Sequence, residues 1–529
     1  MAVSARTEEL QSQAGLLNCR NVRLAVSAVA LVGAALLVLA TRWGIGLFSD
    51  SIVYVGAARY LLAGEGFQFL SDIGELSPIT QYPPGYPWLI ALCGVAGLDA
   101  LEAARWVSVF FAAANTLIIA HIVYCATESF GAAVVAAFLS LAGFPMVYIN
   151  TQALSEPPFI FLILLSFCFL ARYLQDAHRA SLYWFALGTG MSCLVRYVGV
   201  AFGMTGAALI LFCGRGSWRR RFEDAVVFSV LAALPLLLWV TRNYLLAGNA
   251  VNRTFGFHLP GLADLLPSLD TAAQWLLPAV VVEGATWPSR LFLLTILLIL
   301  GWLGRHLDWS KSWYPLLMIY CVIGYAAFLF ISFSFNDQPL YFDTRTMALP
   351  YVAVMIVALA ILTAWLRCAR AEKSWRWFTF DCVMIGLLAL QMINGVLWMK
   401  LSYETGIGFS TESWRRSELI EFAREAPAPM PLISNAPDFI FTLTGRRANM
   451  IPHEVHPWTR HPNEHYAENI AALGAQLQKD AVLIYFNDKD RLWYLPSIEE
   501  LEANLPLAKI KAASDGAIYR LQGAAPLGK

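Results

Sequence analysis

Charge is what this sequence has least of. Asp, Glu, Lys and Arg make up 14% of its 529 residues, against about 25% in an ordinary soluble domain. The charges present cancel, 37 basic against 37 acidic, so no bulk field points to a nucleic-acid partner. Cysteine supplies no framework. There are nine, none beyond Cys382 and none in a C-x-x-C pair, which leaves the last quarter of the chain without disulfides and suits apolar packing elsewhere. The nucleotide signatures are missing too. No Walker loop, no G-x-G-x-x-G after a strand and no G-x-S-x-G occurs, so ATP-driven transport and soluble nucleotide-sugar chemistry lose their usual markers.

What is there is apolar: 58% of the residues are hydrophobic. The runs fall at about 24–41, 84–98, 106–124, 131–149, 157–174, 182–213, 225–241, 290–303, 313–332, 347–366 and 378–399, set against a span of about 20 residues. The first run follows Arg20 and Arg23 like a signal peptide. No small-residue cleavage site stands before Thr41-Arg42-Trp43, so it reads as a retained helix. The Lys and Arg residues between runs predict an orientation. Residues 1–23 are cytoplasmic, 24–399 form the membrane domain, and loops 42–83 and 242–289 are external. Residues 400–529 form a small external α/β domain, with strand-like Pro431–Asn435, Ala481–Phe486 and Gly516–Leu521, and helix-like Pro437–Leu443 and Ile498–Asn504. The run 182–213 is basic at both ends and reads as a helical hairpin with Arg196-Tyr197 near its tip. Alternation then requires that 84–98 or 131–149 fail to cross. The fold predicted is an α-helical polytopic membrane protein of about 11 crossings plus a short or re-entrant helix. No internal repeat stands out, which disfavours inverted-repeat transporters.

Acids beside a bilayer need a reason, and the stretch Phe48–Tyr86 holds several: Asp50, Asp72 and Glu75, with a Gly64-Glu65-Gly66 turn and Tyr82-Pro83-Pro84-Gly85-Tyr86 before the next run. Asp50 precedes an apolar segment that reads as an interfacial helix, so it is either that helix's N-cap or a candidate base. Glu156, in Ser155-Glu156-Pro157-Pro158, carries the same two readings. Arg196 is a charge inside the apolar hairpin. Arg345 opens a span in Phe342-Asp343-Thr344-Arg345. A guanidinium's fork of donors suits phosphate, and pairing with Asp343 or snorkelling is the competing reading for Arg345. For Arg242, snorkelling is the preferred reading. His453, His456, His461 and His465 have spacing that could ligate zinc, but Pro452, Pro457 and Pro462 break any helical face, and a polar loop is the preferred reading.

In this order, Asp50 with Tyr54–Gly66, Tyr82–Tyr86, Leu154-Ser155-Glu156, Leu194-Val195-Arg196-Tyr197, Trp239–Asn243 and Tyr341–Pro350 with Arg345, the chain resembles the GT-C superfamily of membrane glycosyltransferases. It is most similar to the protein O-mannosyltransferase and aminoarabinose transferase branch. The resemblance covers the chain to about residue 400. It implies a polyprenyl-phosphate sugar as donor and Asp50 as the base or acceptor-positioning acid. Glu156 falls where relatives usually have Asp as a second acid. Asp72 and Glu75 are reserves, and Tyr82, Arg196, Tyr197 and Arg345 are implied to line the substrate cavity. A divalent metal is a possible cofactor.

The chemistry implied needs a carboxylate to take the acceptor proton and a cation against the departing phosphate. A single displacement inverts the sugar carbon. The expected place is the outer face of a bacterial inner membrane, with the acceptor a lipid, glycan or protein. A flippase of lipid-linked sugars and a non-catalytic assembly partner are the competing readings.

Overall fold

The structure is a computed structural model that describes residues 2–70, 76–251, 256–335, 342–370, 376–427, 429–455, 461–487 and 493–523. Its first part is helical. Helix α1 (Ala2–Ala40) leads to α2 (Ser49–Leu62), a short hairpin β1 (Gln68–Leu70) and β2 (Leu76–Pro78), then α3 (Gly85–Val95) and α4 (Ala100–Thr127). Next come α5 (Phe130–Ala142), α6 (Phe144–Asn150), α7 (Glu156–Asp176), α8 (Arg179–Val195), α9 (Gly199–Cys213) and α10 (Trp218–Ala247). Two short helices, α11 (Leu262–Ala273) and α12 (Ala279–Gly284), precede α13 (Thr286–Leu303), α14 (Trp313–Phe335), α15 (Ala348–Arg370) and α16 (Arg376–Thr405).

Among the described residues, seven helices are long and apolar enough to cross a membrane: Arg20–Ala40 of α1, then α4, α7, α10, α13, α14 and α15. The bent pair α5 and α6 brings the number to eight if it counts as one span. The sequence count of about 11 judged runs rather than helices, and its run at 378–399 falls in α16, which is only partly described. Helices α3 and α9, of 11 and 15 residues, fall short of the roughly 20 residues a span needs. The run at 131–149 breaks at Gly143 and Pro145 into α5 and α6, which meet at 52°. The run at 182–213 is two packed helices that turn at Arg196–Val198. The central core is built from α4, α5, α7, α8, α9, α14 and α15, with Phe159, Phe167, Phe185 and Phe202 fully buried.

Residues after α16 form an α/β unit. It comprises α17 (Glu412–Arg415), α18 (Glu418–Glu425), β3 (Leu432–Ser434), α19 (Pro437–Thr444), β4 (Ala448–Met450), α20 (Tyr466–Gln478), β5 (Val482–Phe486), α21 (Ile498–Asn504), β6 (Leu507–Ala513) and β7 (Gly516–Leu521). The sheet order is β4-β3-β5-β7-β6. The first three strands are parallel, and β7 runs antiparallel to both its neighbours. Strands β3, β5 and β7 are buried along their whole length, as expected for strands covered on both faces. One face packs on α20 and α21. The other joins α18, α19 and residues of α2, α3 and α4 in a single cluster that includes Tyr54, Tyr86, Phe439 and Ile518. The α/β unit and the helix carrying Asp50 therefore share one core.

Candidate functional site

Two acids and two arginines, read separately from the sequence, meet at one place. The backbone sets the acids side by side. The segment leaving α1 bridges to the segment leading into α7, with Gly46 N–H donating to the Thr151 carbonyl at 2.8 Å and Ala153 N–H to the Gly46 carbonyl at 2.9 Å. Phe409 N–H donates to the Leu47 carbonyl at 3.1 Å, which ties the start of the α/β unit to the same segment. Asp50 follows a few residues after one strand of this clasp and Glu156 after the other.

Asp50 does not cap its helix. The cap position of α2 is Phe48, with no side-chain capping bond. Instead the Tyr82 hydroxyl donates to Asp50 Oδ1 at 2.7 Å, and Arg345 Nη1 donates to Oδ2 at 2.5 Å. Burial pushes the Asp50 carboxyl up, but Arg345, the Tyr82 phenol and Arg196 together outweigh it and hold the group below its ordinary value. Burial and the Asp50 charge both push the Tyr82 phenol up, so it stays protonated and donating.

Glu156 begins α7 behind Ser155, also without a capping bond. Pro157 and Pro158 suit that first turn, where N–H groups have no helical partner, and Asn115 donates to the Pro157 carbonyl at 2.9 Å. Glu156 Oε1 accepts from both Arg345 Nε and Arg196 Nη1. Its Oε2 is buried with no hydrogen-bond partner among the described residues. Arg196 can reach it because the chain turns extended between α8 and α9 (φ −148°, ψ 133°), so the side chain leaves at a helix break. Its Nη1 also donates to Ser155 Oγ at 3.0 Å. Arg345 turns away from Asp343, which accepts from Thr346 instead. Burial alone would weaken the Arg345 charge, but Glu156 and Asp50 reverse that and keep it fully cationic.

The cluster is thus two carboxylates and two guanidiniums, with Arg345 as the bridge. The side chains of Asp50, Arg345 and Arg196 each keep about a fifth of their surface open, while Glu156 keeps 5%. Tyr54 stacks edge-on against Tyr82 and Tyr86 beside it. Tyr197 lies one layer out. Its hydroxyl donates to the Thr80 carbonyl at 3.0 Å and accepts from Trp239 at 3.2 Å, so it holds the first loop. Asp72 and Glu75 lie outside the described residues.

Arg242 does not snorkel. Its guanidinium donates to the Ile79 and Phe67 carbonyls at 3.1 and 3.3 Å and packs over Trp239 at 4.7 Å. Asn243 adds a bond to the Thr80 carbonyl. Together they clamp the loop that ends in Tyr82. The signal in the sequence was Trp239 one turn before Arg242-Asn243.

The site does not fit a divalent cation as it stands, because Arg345 already occupies the gap between the two carboxylates. Among the described residues, no three His, Cys, Asp or Glu side chains gather as metal ligands. His456 lies outside those residues, and His453 and His465 face Met450 and Glu468 respectively.

In sequence, residues 81–239 match the family described as dolichyl-phosphate-mannose-protein mannosyltransferase. In structure, the chain is similar to ArnT from Cupriavidus metallidurans bound to undecaprenyl phosphate, at 13% identity and TM-score 0.61, over 94% of this chain and 98% of that one. The fold is that of the GT-C membrane glycosyltransferases. The same GT-C fold relates the chain to the mycobacterial arabinofuranosyltransferase AftD, at 13% identity and TM-score 0.56, over 94% of this chain and 41% of AftD. It also relates it to an oligosaccharyltransferase from Archaeoglobus fulgidus, at 11% identity and TM-score 0.51, over 93% and 73%. No curated protein matches the chain by sequence. Within the GT-C fold, Asp50 and Arg196 come from the first loop and the α8–α9 turn, and Arg345 comes from the turn before α15.

Proposed function

We propose that the chain is an inverting glycosyltransferase that moves a sugar from a polyprenyl phosphate to an acceptor hydroxyl. We place the reaction at the outer face of a bacterial inner membrane, with the N-terminus cytoplasmic and residues 400–529 periplasmic. One observation carries the reading. A half-buried carboxylate, Asp50, is held ionised beside a guanidinium, Arg345, that also pairs with a second carboxylate, Glu156. Further support comes from the undecaprenyl phosphate in the ArnT structure with the same fold.

In this reading the lipid phosphate takes guanidinium donors from Arg345 and Arg196, a planar fork matched to phosphate oxygens. The acceptor oxygen attacks the anomeric carbon from the far side and its proton passes to Asp50. The bond between that carbon and the phosphate oxygen breaks, and the electron pair leaves with the lipid phosphate, whose growing charge the arginines stabilise. Glu156 positions both arginines. Tyr82 orients the carboxylate of Asp50 by its hydrogen bond.

The test is a transfer assay on purified protein with a radiolabelled prenyl-phosphate sugar and a membrane extract as acceptor source. Asp50→Asn should retain folding and donor binding while transfer falls by at least about a hundredfold, the usual scale for a general base. Full activity in that variant would remove Asp50 from the role. Donor bound by the wild-type protein without turnover would make the chain a non-catalytic binder, and lipid moved across vesicles without covalent change would make it a flippase.

A further inference from the structure

The α/β unit carries a second cleft that the charged cluster does not explain. It is about 340 Å³ and lies between β4 with the segment after it and one face of α20. That is the lower end of small-molecule sites, about 300–1,000 Å³. Asn469, Leu473 and Gln476 share the α20 face because they are four and three residues apart. Asn449 and Met450 of β4 stand opposite.

The chemistry of the lining is narrow. Among the described residues, no Asp, Glu, Lys or Arg lines it and His453 is the one imidazole, so a phosphate or a metal cation finds few of the partners it prefers there. Asn449, Asn469 and Gln476 make no side-chain hydrogen bond among the described residues. A carboxamide offers two donors on nitrogen and lone pairs on oxygen. Three of them around one hollow match a ligand whose every polar group both donates and accepts. Met450 and Leu473 supply apolar surface between them. Asn463 is spent on the wall itself, donating to the His453 carbonyl at 2.8 Å and accepting from His465 N–H at 3.0 Å. Hydroxyl groups on a compact C–H framework have this pattern, which is that of a neutral sugar. A peptide could use β4 as an edge for an added strand, but β4 is three residues long and gives little ladder.

The strand that borders the cleft is tied to the far end of the helix that carries Asp50. Arg447, two residues before Asn449, pairs with Glu65 in the turn after α2 and packs on Tyr60. We propose that this cleft binds a neutral glycan, and so holds a carbohydrate acceptor on the unit that packs against the Asp50 helix. The acceptor role rests on the transferase reading above, whereas the binding itself does not.

The experiment is saturation-transfer NMR on the full chain in nanodiscs, with maltose, cellobiose and mannobiose as probes and no donor present. The wild-type protein and Asp50→Asn should both transfer saturation to at least one disaccharide. Asn469→Ala/Gln476→Ala, two changes on an exposed helix face, should bind about tenfold more weakly, the value of one or two lost hydrogen bonds. Its unfolding temperature should match wild type. No saturation on any sugar, equal saturation in the double variant, or saturation of a neutral Gly/Ser peptide in place of the sugars would each overturn the proposal. Because no donor is used, failure of the transferase reading leaves this result standing. Loss of sugar binding with transfer intact would sink only the cleft.

Discussion

Asp50 is under two opposed influences. Burial works against its charge, and Arg345 with Tyr82 works for it, with the second winning. A carboxylate held this way is a weak base, since an ion pair stabilises the deprotonated form. If a lipid phosphate draws Arg345 away, the electrostatic hold weakens and burial remains, which raises the affinity of Asp50 for a proton. The base would then strengthen when donor is present. The resting state makes its own prediction. A group whose folded pKa lies below the unfolded one stabilises the protein above the unfolded value and loses that contribution as pH falls through the folded one. The unfolded value for Asp is about 3.9. The gap in unfolding temperature between wild type and Asp50→Asn should therefore be flat from about pH 8 to about pH 5 and close only below about pH 4. A gap that narrows near neutrality would show that Arg345 does not hold the carboxyl down. The four charged residues were legible in the sequence because a charge is conspicuous in so apolar a chain. Their pairing was not, since Arg345 and Glu156 lie 189 residues apart. Arg242 shows the converse. Its position near a span end suggested water as its partner, and only the folded loop supplies the Phe67 and Ile79 carbonyls.

At the scale of elements, close approach matters more than composition. Gly85 opens α3 against the end of α8, and a Cβ there would sit 2.7 Å from the Leu194 carbonyl oxygen and 2.9 Å from its carbon. Backbone cannot step aside as a side chain can. Gly85→Ala should lower stability by about 1–3 kcal/mol, the ordinary cost of overpacking, and would press on the turn that presents Arg196. A thermal unfolding curve that matches wild type would contradict this contact. The Gly64-Glu65-Gly66 turn is a different case: both glycines have positive φ, +79° and +85°, which other residues adopt at a cost. Which elements the sequence revealed follows from burial. Strand β5 stood out as an unbroken apolar run and β3 as the centre of a shorter one, as suits strands covered on both faces, while β7 carries Arg520, which pairs with Asp480. Strand β4, Ala-Asn-Met, is an edge strand only partly buried and carries no apolar run to mark it. Strand β6 sits at the sheet edge with Lys509 and Lys511 along it, the charged signature of a protected edge rather than of a core.

For the whole molecule, the decisive feature is the junction between the membrane helices and the α/β unit. Arg59 of α2 donates to the Phe441 and Thr442 carbonyls at the end of α19 and pairs with Asp99 at 3.1 Å. Tyr60 stacks on Phe441, with ring centres 4.9 Å apart and planes at 11°. Arg59→Ala should weaken this junction by about 2 kcal/mol, the scale of hydrogen bonds to a charged group. Hydrogen exchange in nanodiscs should then quicken over Pro437–Thr444 while the central bundle stays protected. Unchanged exchange in α19 would mean that the shared apolar core alone secures the unit. The sequence showed that such a unit follows the spans. It could not show where it rests, because the residues of α2 that receive it, Arg59 and Tyr60, look like any interfacial pair until α19 is laid against them.

Helix α2 is gripped near its far end and carries Asp50 near its start, so it works as a lever. Nine residues of helix separate Asp50 from Arg59, about 13 Å of arm. A tilt of about 5° about Arg59 would swing the carboxylate by about 1 Å, and a shift of that size can change a rate about a hundredfold. If Asp50 is the base proposed above, a small rocking of the α/β unit would reach the reaction through this helix.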